Sequence, residues 1–298
     1  MSMRRERPSG ARRWVDERGH EIEESDRGLV YDLQTLVDRR KVLGLFGGLS
    51  AAALLAACGG SGSDDAASSG ATAAPGTTSS GTTGSSEATG DLSEVPDETA
   101  GPYPADGSNG PNVLDDSGIV RSDIRSSFGS STTTAEGVPL TIKLTVRDAA
   151  SGDAAKGAGV YLWHCDRDGN YSLYSQAAAG ENYLRGAQEA DTGGTVTFRS
   201  IFPACYSGRW PHIHFEVYAS LSDATSSGPI VKTSQIALPK EACEAVYATS
   251  GYQQSVSNLT QVSLAGDNVF GDDGGIHQLA TMSGDPAGGY TAALTIGV

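Results

Sequence analysis

The segment Cys205-Tyr206-Ser207-Gly208-Arg209-Trp210-Pro211-His212-Ile213-His214-Phe215 gathers a phenol, a guanidinium and two imidazoles within eleven residues. Two of these groups have strand spacing. Along an extended chain side chains alternate faces, so His212 and His214 point one way while Ile213, Phe215 and Val217 point to the opposite, apolar side. Two imidazoles on one face can share a cation, but a His-x-His pair taken alone serves zinc and copper as readily as iron, and fits a surface strand that binds nothing.

The elements around the pair narrow the choice. Tyr161-Leu162-Trp163-His164-Cys165-Asp166-Arg167-Asp168-Gly169-Asn170-Tyr171 reads as a strand running into an Asp/Gly turn that ends on a tyrosine. Asn182-Tyr183-Leu184-Arg185-Gly186-Ala187-Gln188 follows, then the turn and strand of Asp191-Thr192-Gly193-Gly194-Thr195-Val196-Thr197-Phe198. Pro203-Ala204-Cys205-Tyr206 leads into Arg209-Trp210-Pro211-His212-Ile213-His214-Phe215, and Thr233-Ser234-Gln235 lies on the next strand. This ordered set resembles the intradiol ring-cleavage dioxygenases. The resemblance runs over most of residues 97–298 and includes Thr99-Ala100-Gly101-Pro102-Tyr103 near its start.

The resemblance implies a non-haem Fe(III) cofactor with Tyr171, Tyr206, His212 and His214 as protein ligands, Arg209 steadying substrate and intermediate, and Gln235 beside them. It further implies that a catechol-type substrate chelates the iron and displaces Tyr206, whose freed phenolate accepts a substrate proton. O2 then supplies both oxygen atoms of a muconate-type diacid. The residue types suit that chemistry. Phenolates are hard anionic donors that favour ferric iron, and imidazoles complete the set without adding charge. A free tyrosine ionises near ~10, so only a strongly acidic cation keeps two of them ionised at neutral pH. Cys205 stands where the family often has glycine or tryptophan, and no long helical N-terminal dimerisation domain like that of the catechol-type enzymes is expected, which leaves substrate and oligomeric state open. Two other readings of the same residues remain: a transthyretin-like sandwich that binds a ligand or the cell wall, and a copper or zinc site of other activity.

Some groups read as structural. His164, next to Trp163 and Cys165, is expected to be a satisfied strand histidine, and His277, in a Gly/Asp loop, to be exposed. Three cysteines follow Cys58. In an oxidising compartment one pair and one leftover is the simplest arithmetic, and the expected pair is Cys205 with Cys243, with Cys165 a buried free thiol.

The elements that must position these residues read as strands. Leu140, Ile142, Leu144 and Val146 alternate with polar residues, the period-2 pattern of a half-buried strand. Similar segments run over 159–164, 195–201, 212–219, 231–238 and 290–296, and only 239–249 looks helical, with Pro239 near its first turn. The expected fold is mainly β: a single antiparallel β-sandwich with one short helix, over 94–298. No internal repeat is present.

The front of the chain reads as an export signal. Arg39-Arg40 precede an apolar run from Val42 to Ala57, too short for a comfortable membrane span, and Leu54-Leu55-Ala56-Ala57-Cys58-Gly59 resembles a bacterial lipobox. Residues 1–58 are therefore expected to be a Tat-like lipoprotein signal region with Cys58 as the lipidated residue. Residues 59–93, a tract dominated by Gly, Ser, Thr and Ala, are expected to be a disordered linker on the outer face of the membrane. From residue 59 onward eleven Lys/Arg stand against 27 Asp/Glu. That balance excludes nucleic acid as a partner and leaves tethering to a lipid anchor.

Overall fold

A computed structural model describes residues 92–298. The expected signal region, the lipidated Cys58 and all but the end of the linker lie outside the described residues. Eight strands form two sheets. They are β1 (Pro139–Arg147), β2 (Gly159–Trp163), β3 (Arg185–Glu189), β4 (Thr195–Ile201), β5 (His212–Tyr218), β6 (Ile230–Ala237), β7 (Thr281–Asp285) and β8 (Gly289–Gly297). One sheet has the order β4-β1-β8-β7 and the other β3-β2-β5-β6.

The alternation in β1 does what the pattern requires. Leu140, Ile142, Leu144 and Val146 are buried and meet Val160, Leu162, Ile213, Phe215 and Val217 of the second sheet in one core. The second sheet is buried on both faces, and every residue of β5 is buried. Its odd positions fill the sandwich, while His212, His214, Glu216 and Tyr218 lie beneath covering loops. A second, smaller core holds that cover down: Ala105, Val113, Leu114 and Ile119 pack with Tyr161, Trp163 and Tyr171. The outer face of β2 and β5 is thereby enclosed while remaining rich in polar and aromatic side chains.

Three features differ from expectation. The sandwich is not antiparallel throughout: β1 pairs with β8 in parallel, Leu140 opposite Tyr290 and Arg147 opposite Gly297. Period-2 alternation reveals which face is buried but not which way a neighbouring strand runs, and these two strands are far apart in sequence. Second, β3 and β7 form although the strand pattern did not mark them. β3 carries the Arg185-Gly186 motif, and β7 (Thr-Met-Ser-Gly-Asp) buries almost nothing.

Third, three short α-helices stand among the described residues in place of one: α1 (Leu221–Ala224), α2 (Lys240–Tyr247) and α3 (Gln253–Leu259). Helix α2 is the expected one, with Pro239 at its N-cap. Helix α1 is a single turn capped by the Ser220 hydroxyl, which accepts from the Asp223 amide. Helix α3 buries only Ser255 and so has no apolar stripe to betray it.

Candidate metal centre

The two histidines come from β5, where cross-strand neighbours fix them: His214 lies opposite Trp163 on β2 and Gln235 on β6. The indole of Trp163 stacks flat on the His214 ring, centroids 5.0 Å apart and planes within 7°. Backbone geometry also sets the tautomer of His212. Its Nδ1 lies 2.5 Å from the Trp210 carbonyl oxygen, and a carbonyl can only accept, so the proton is on Nδ1 and Nε2 presents a bare lone pair.

The tyrosines come from two loops. Tyr171 ends the turn after β2, in which Asp166 Oδ1 accepts the amides of Asp168 and Asn170 at 2.9 and 2.8 Å and Oδ2 accepts from the Tyr183 hydroxyl at 3.0 Å. Gly169 has a φ of 89°, and a Cβ there would stand 3.2 Å from the Tyr206 Cβ, so a bulkier residue would crowd the two loops apart. Tyr206 follows Cys205, whose backbone is gripped on both sides by α3. The Ser255 hydroxyl accepts the Cys205 amide at 3.0 Å, and Asn258 Nδ2 donates to the Cys205 carbonyl at 2.8 Å. Ala204 N donates to Asp166 O at 3.1 Å, joining the two tyrosine loops directly.

The four side-chain ends converge. Tyr206 Oη lies 3.1 Å from His212 Nε2, the two Nε2 atoms lie 3.1 Å apart, His214 Nε2 is 3.3 Å from Tyr171 Oη, and the two phenol oxygens are 3.4 Å apart. Neighbouring ligands of a first-row metal, with bonds of about 2.0–2.2 Å and angles of about 90–110°, stand roughly 2.8–3.6 Å apart. All four separations fall in that span. Burial holds every member uncharged in the protein alone. The Tyr171 and Tyr206 phenols are pushed well above the usual tyrosine range, His212 is lowered to about 3, and His214 falls well below the histidine range. Four neutral donors, three of them buried and Tyr206 half-buried, with a bare lone pair among them suit a cation, whose charge ionises the phenols. Among the described residues no cluster of three or more His, Cys, Asp and Glu could hold a metal; here half the donors are phenols.

Arg209 stands beside this set rather than in it. It is 8% exposed, so it is no surface residue, and Trp210 is buried with its Nε1 donating to Leu238 O at 2.9 Å. Arg209 Nη2 donates to Gln235 Oε1 at 2.8 Å, and Gln235 Nε2 donates to the Thr99 carbonyl at 2.9 Å. On its other side Nε and Nη2 reach Asp267 at 3.0 and 3.2 Å. Asp267 also accepts from the amides of Trp210 at 2.7 Å, Val269 at 2.9 Å and Phe270 at 3.3 Å. Burial opposes both charges, yet Arg209 is held above its ordinary range by Tyr206 and then Asp267, and Asp267 below its own by Arg209 and by the amides of Trp210 and Val269.

Asp267, Ser255 and Asn258 were not legible as site residues. Each lies in a segment that reads as a turn or a polar stretch, and each acts through a partner about 50 or more residues away. Tyr103, in the Thr99–Tyr103 segment, packs against Tyr171 with ring centroids 4.7 Å apart. A cavity of about 220 Å³ lined by Arg125, Arg199 and Tyr290 lies on the first sheet and contains none of the converging donors.

The cysteines depart from the expected pairing. Cys165, Cys205 and Cys243 are all buried free thiols. Cys205 Sγ is directed at the carbonyls of Tyr206 and Arg209, and Cys243 Sγ at that of Leu238, so each thiol has a backbone acceptor and no bond joins them although both lie in the main core. Cys165 is the buried free thiol expected. His164 is a satisfied histidine: its ring nitrogens lie 2.7 Å from Cys165 O and 2.6 Å from Ser200 Oγ. His277 is half-buried, not exposed.

Comparison with known proteins finds dioxygenases. A family model described as "Dioxygenase" matches residues 110–225. A chlorocatechol 1,2-dioxygenase of Rhodococcus opacus is 40% identical over 62 residues, 21% of this chain and 24% of that protein. The match thus spans about a quarter of that relative's length. An intradiol ring-cleavage dioxygenase from Tetranychus urticae superposes with a TM-score of 0.52 at 25% identity, over 69% of this chain and 94% of that one. The dioxygenase Tetur07g02040 shares the fold with a TM-score of 0.55 at 24% identity, over 69% of this chain and 94% of its own. Over residues 110–225, and in its two-sheet fold, the chain is similar to dioxygenases, the intradiol ring-cleavage enzyme of Tetranychus urticae among them.

Proposed function

We propose that the protein is a non-haem Fe(III)-dependent dioxygenase that cleaves a catechol-type aromatic between its two hydroxylated carbons, incorporating both atoms of O2. The observation that carries this reading is the convergence of two phenol oxygens and two imidazole nitrogens at 3.1–3.4 Å. Tyr171, Tyr206, His212 and His214 would hold the iron, which when bound supplies the Lewis acidity that ionises the phenols and activates a chelated catechol toward O2. The protein's own part is positional and electrostatic. Tyr171 is 2% exposed whereas Tyr206 is only half-buried, so Tyr206 is the phenol that can leave the set and take a substrate proton at its Oη. Arg209 offers a fixed cation to negative charge developing on the substrate, at no reorganisation cost, because Gln235 and Asp267 already hold it. The stacked Trp163 and the cover over β5 keep water from the inner wall.

We also propose, from the sequence of the first 58 residues, that the chain is exported and tethered through Cys58. The catalytic reading is tested by metal analysis and spectroscopy. Protein produced with adequate iron is expected to hold about one ferric ion per chain and to show a reddish tyrosinate-to-iron band, and His212→Ala or His214→Ala to lose both. Stoichiometric zinc or copper with no visible band would overturn it.

A further inference from the structure

Arg185 opens β3 at one end of a row that crosses the second sheet: it lies opposite Trp163, Trp163 opposite His214, and His214 opposite Gln235. Its side chain is buried, at 1% exposure. Nε and Nη2 donate to the Ser172 hydroxyl at 3.0 Å and the Ser172 carbonyl at 2.9 Å, while Nη1 donates to the Pro104 carbonyl at 3.0 Å and the Tyr161 hydroxyl at 3.1 Å. The guanidinium also lies over the Tyr174 ring, 5.5 Å from its centroid. Each hydrogen-bond acceptor is a neutral oxygen. A buried cation held in this way depends on every bond of its planar fork being made.

Two of these acceptor residues border Tyr171. Ser172 follows it directly, and Pro104 follows Tyr103, whose ring packs on that of Tyr171 with centroids 4.7 Å apart. The third leads to His214: the Tyr161 ring stacks on Trp163 at 4.9 Å, and Trp163 stacks on His214 at 5.0 Å. Backbone strain marks the same places. Of the four non-glycine residues with left-handed φ among those described, three adjoin Arg185 or its acceptors: Ala105 (53°) after Pro104, Leu173 (72°) after Ser172, and Leu184 (57°) before Arg185 itself. Such conformations persist only where the surroundings over-determine them, and one guanidinium ties these three segments together.

We propose that Arg185 is a positioning residue for the Tyr171 side of the metal centre: its fork fixes the Ser172 and Pro104 carbonyls and, through them, the direction of the Tyr171 phenol oxygen. None of its hydrogen bonds reaches a converging donor atom, so it acts through its neighbours. The inference rests on the ring-cleavage reading and adds to it a residue outside the four donors and outside the Arg209 network.

The test uses the iron-loaded protein and its tyrosinate-to-iron band, which reports how the phenolate oxygens meet the metal. Arg185→Lys keeps the charge but not the fork, and Ser172→Ala removes one acceptor while leaving Arg185 in place. In Arg185→Lys the iron content is expected to match wild type while the band shifts and broadens. Turnover at saturating catechol should fall roughly tenfold with KM held within about threefold, because alignment rather than binding is lost. Ser172→Ala should move the band the same way by less, which keeps the test decisive if Arg185→Lys does not fold. Asp191→Ala is the comparison for general damage. It removes the acceptor of the Gly193 and Thr195 amides, at 2.8 and 2.9 Å in the turn before β4, and should lower stability without moving the band. A band unchanged in both Arg185→Lys and Ser172→Ala, or moved equally by Asp191→Ala, would overturn the role of Arg185 and leave the ring-cleavage reading standing. Wild-type protein that takes up no iron would overturn both.

Discussion

The centre of the Arg209 network is Asp267, and neutralising it is the sharpest perturbation the structure offers. Asp267→Asn preserves shape but replaces one acceptor oxygen with a donor amide and removes the charge. The side chain of Asp267 is wholly buried and that of Arg209 is 9% exposed, so the pair is little screened by solvent. Contacts of 3.0 and 3.2 Å put the charge centres about 4 Å apart, and at an effective dielectric near 20 their attraction is about 4 kcal/mol. Removing one partner of a buried pair costs about 3–5 kcal/mol, because the other charge is left without compensation. The unfolding free energy at neutral pH is therefore expected to fall by about 3–4 kcal/mol, read from urea titrations.

Two further measurements separate the pair from general damage. In an Arg209→Met background the cation is gone, so adding Asp267→Asn should cost at most about 1 kcal/mol, giving a coupling of at least about 2 kcal/mol in the double-mutant cycle. The pH dependence has a defined sign. A carboxyl held below its ordinary value stabilises the fold above the unfolded pKa of about 3.9, and that contribution is lost as pH falls toward the folded value. Wild type should lose stability below about pH 4 more steeply than Asp267→Asn. A single-variant loss under about 1 kcal/mol, or an additive cycle, would refute the claim that Arg209 and Asp267 act as one buried unit.

Other outcomes can be checked more simply. Arg209→Ala should keep iron and colour yet lose turnover by ~10² or more, measured as oxygen consumption at saturating catechol beside a spectrum of the same preparation. Ser255→Ala leaves the buried Cys205 amide without its acceptor and should cost about 1–3 kcal/mol of stability in urea titration, although Ser255 is remote from the chemistry. Cys58→Ala should release the protein from the membrane fraction. Persistence after carbonate washing would favour an uncleaved anchor helix, and unchanged export of a variant with Arg39→Lys and Arg40→Lys would rule out the Tat route.

What was legible in the sequence, and what was not, divides along physical lines. Strand periodicity reports which face a residue takes, so His212 and His214 could be placed side by side, and β1, β4 and β5 could be located nearly to the residue. Periodicity carries no direction, so the parallel β1 and β8 pairing was hidden. It is also silent in loops. Asp267 sits in Ala265-Gly266-Asp267-Asn268, a stretch that reads as an ordinary turn, and only the fold brings it to Arg209. The cysteine arithmetic failed for a related reason: sharing a core does not orient two thiols toward each other, and both point at backbone carbonyls.

The same division has a mechanical consequence within the centre. The histidines stand on a central strand of the buried sheet, gripped by neighbours on both sides, whereas the tyrosines stand on loops held by a few hydrogen bonds. Of those two loops, the one bearing Tyr171 is closed on itself by Asp166 and buries its phenol, while that of Tyr206 is held on either side of the ring, at Pro203 to Cys205 and at Arg209 and Trp210, and leaves the ring itself half-buried. Stiffness thus falls in the order His212 and His214, then Tyr171, then Tyr206. On the proposed ring-cleavage reading, the centre would exchange one protein donor for substrate while keeping its metal, which such a gradient would serve, and Tyr206 is the donor that the fold leaves easiest to move.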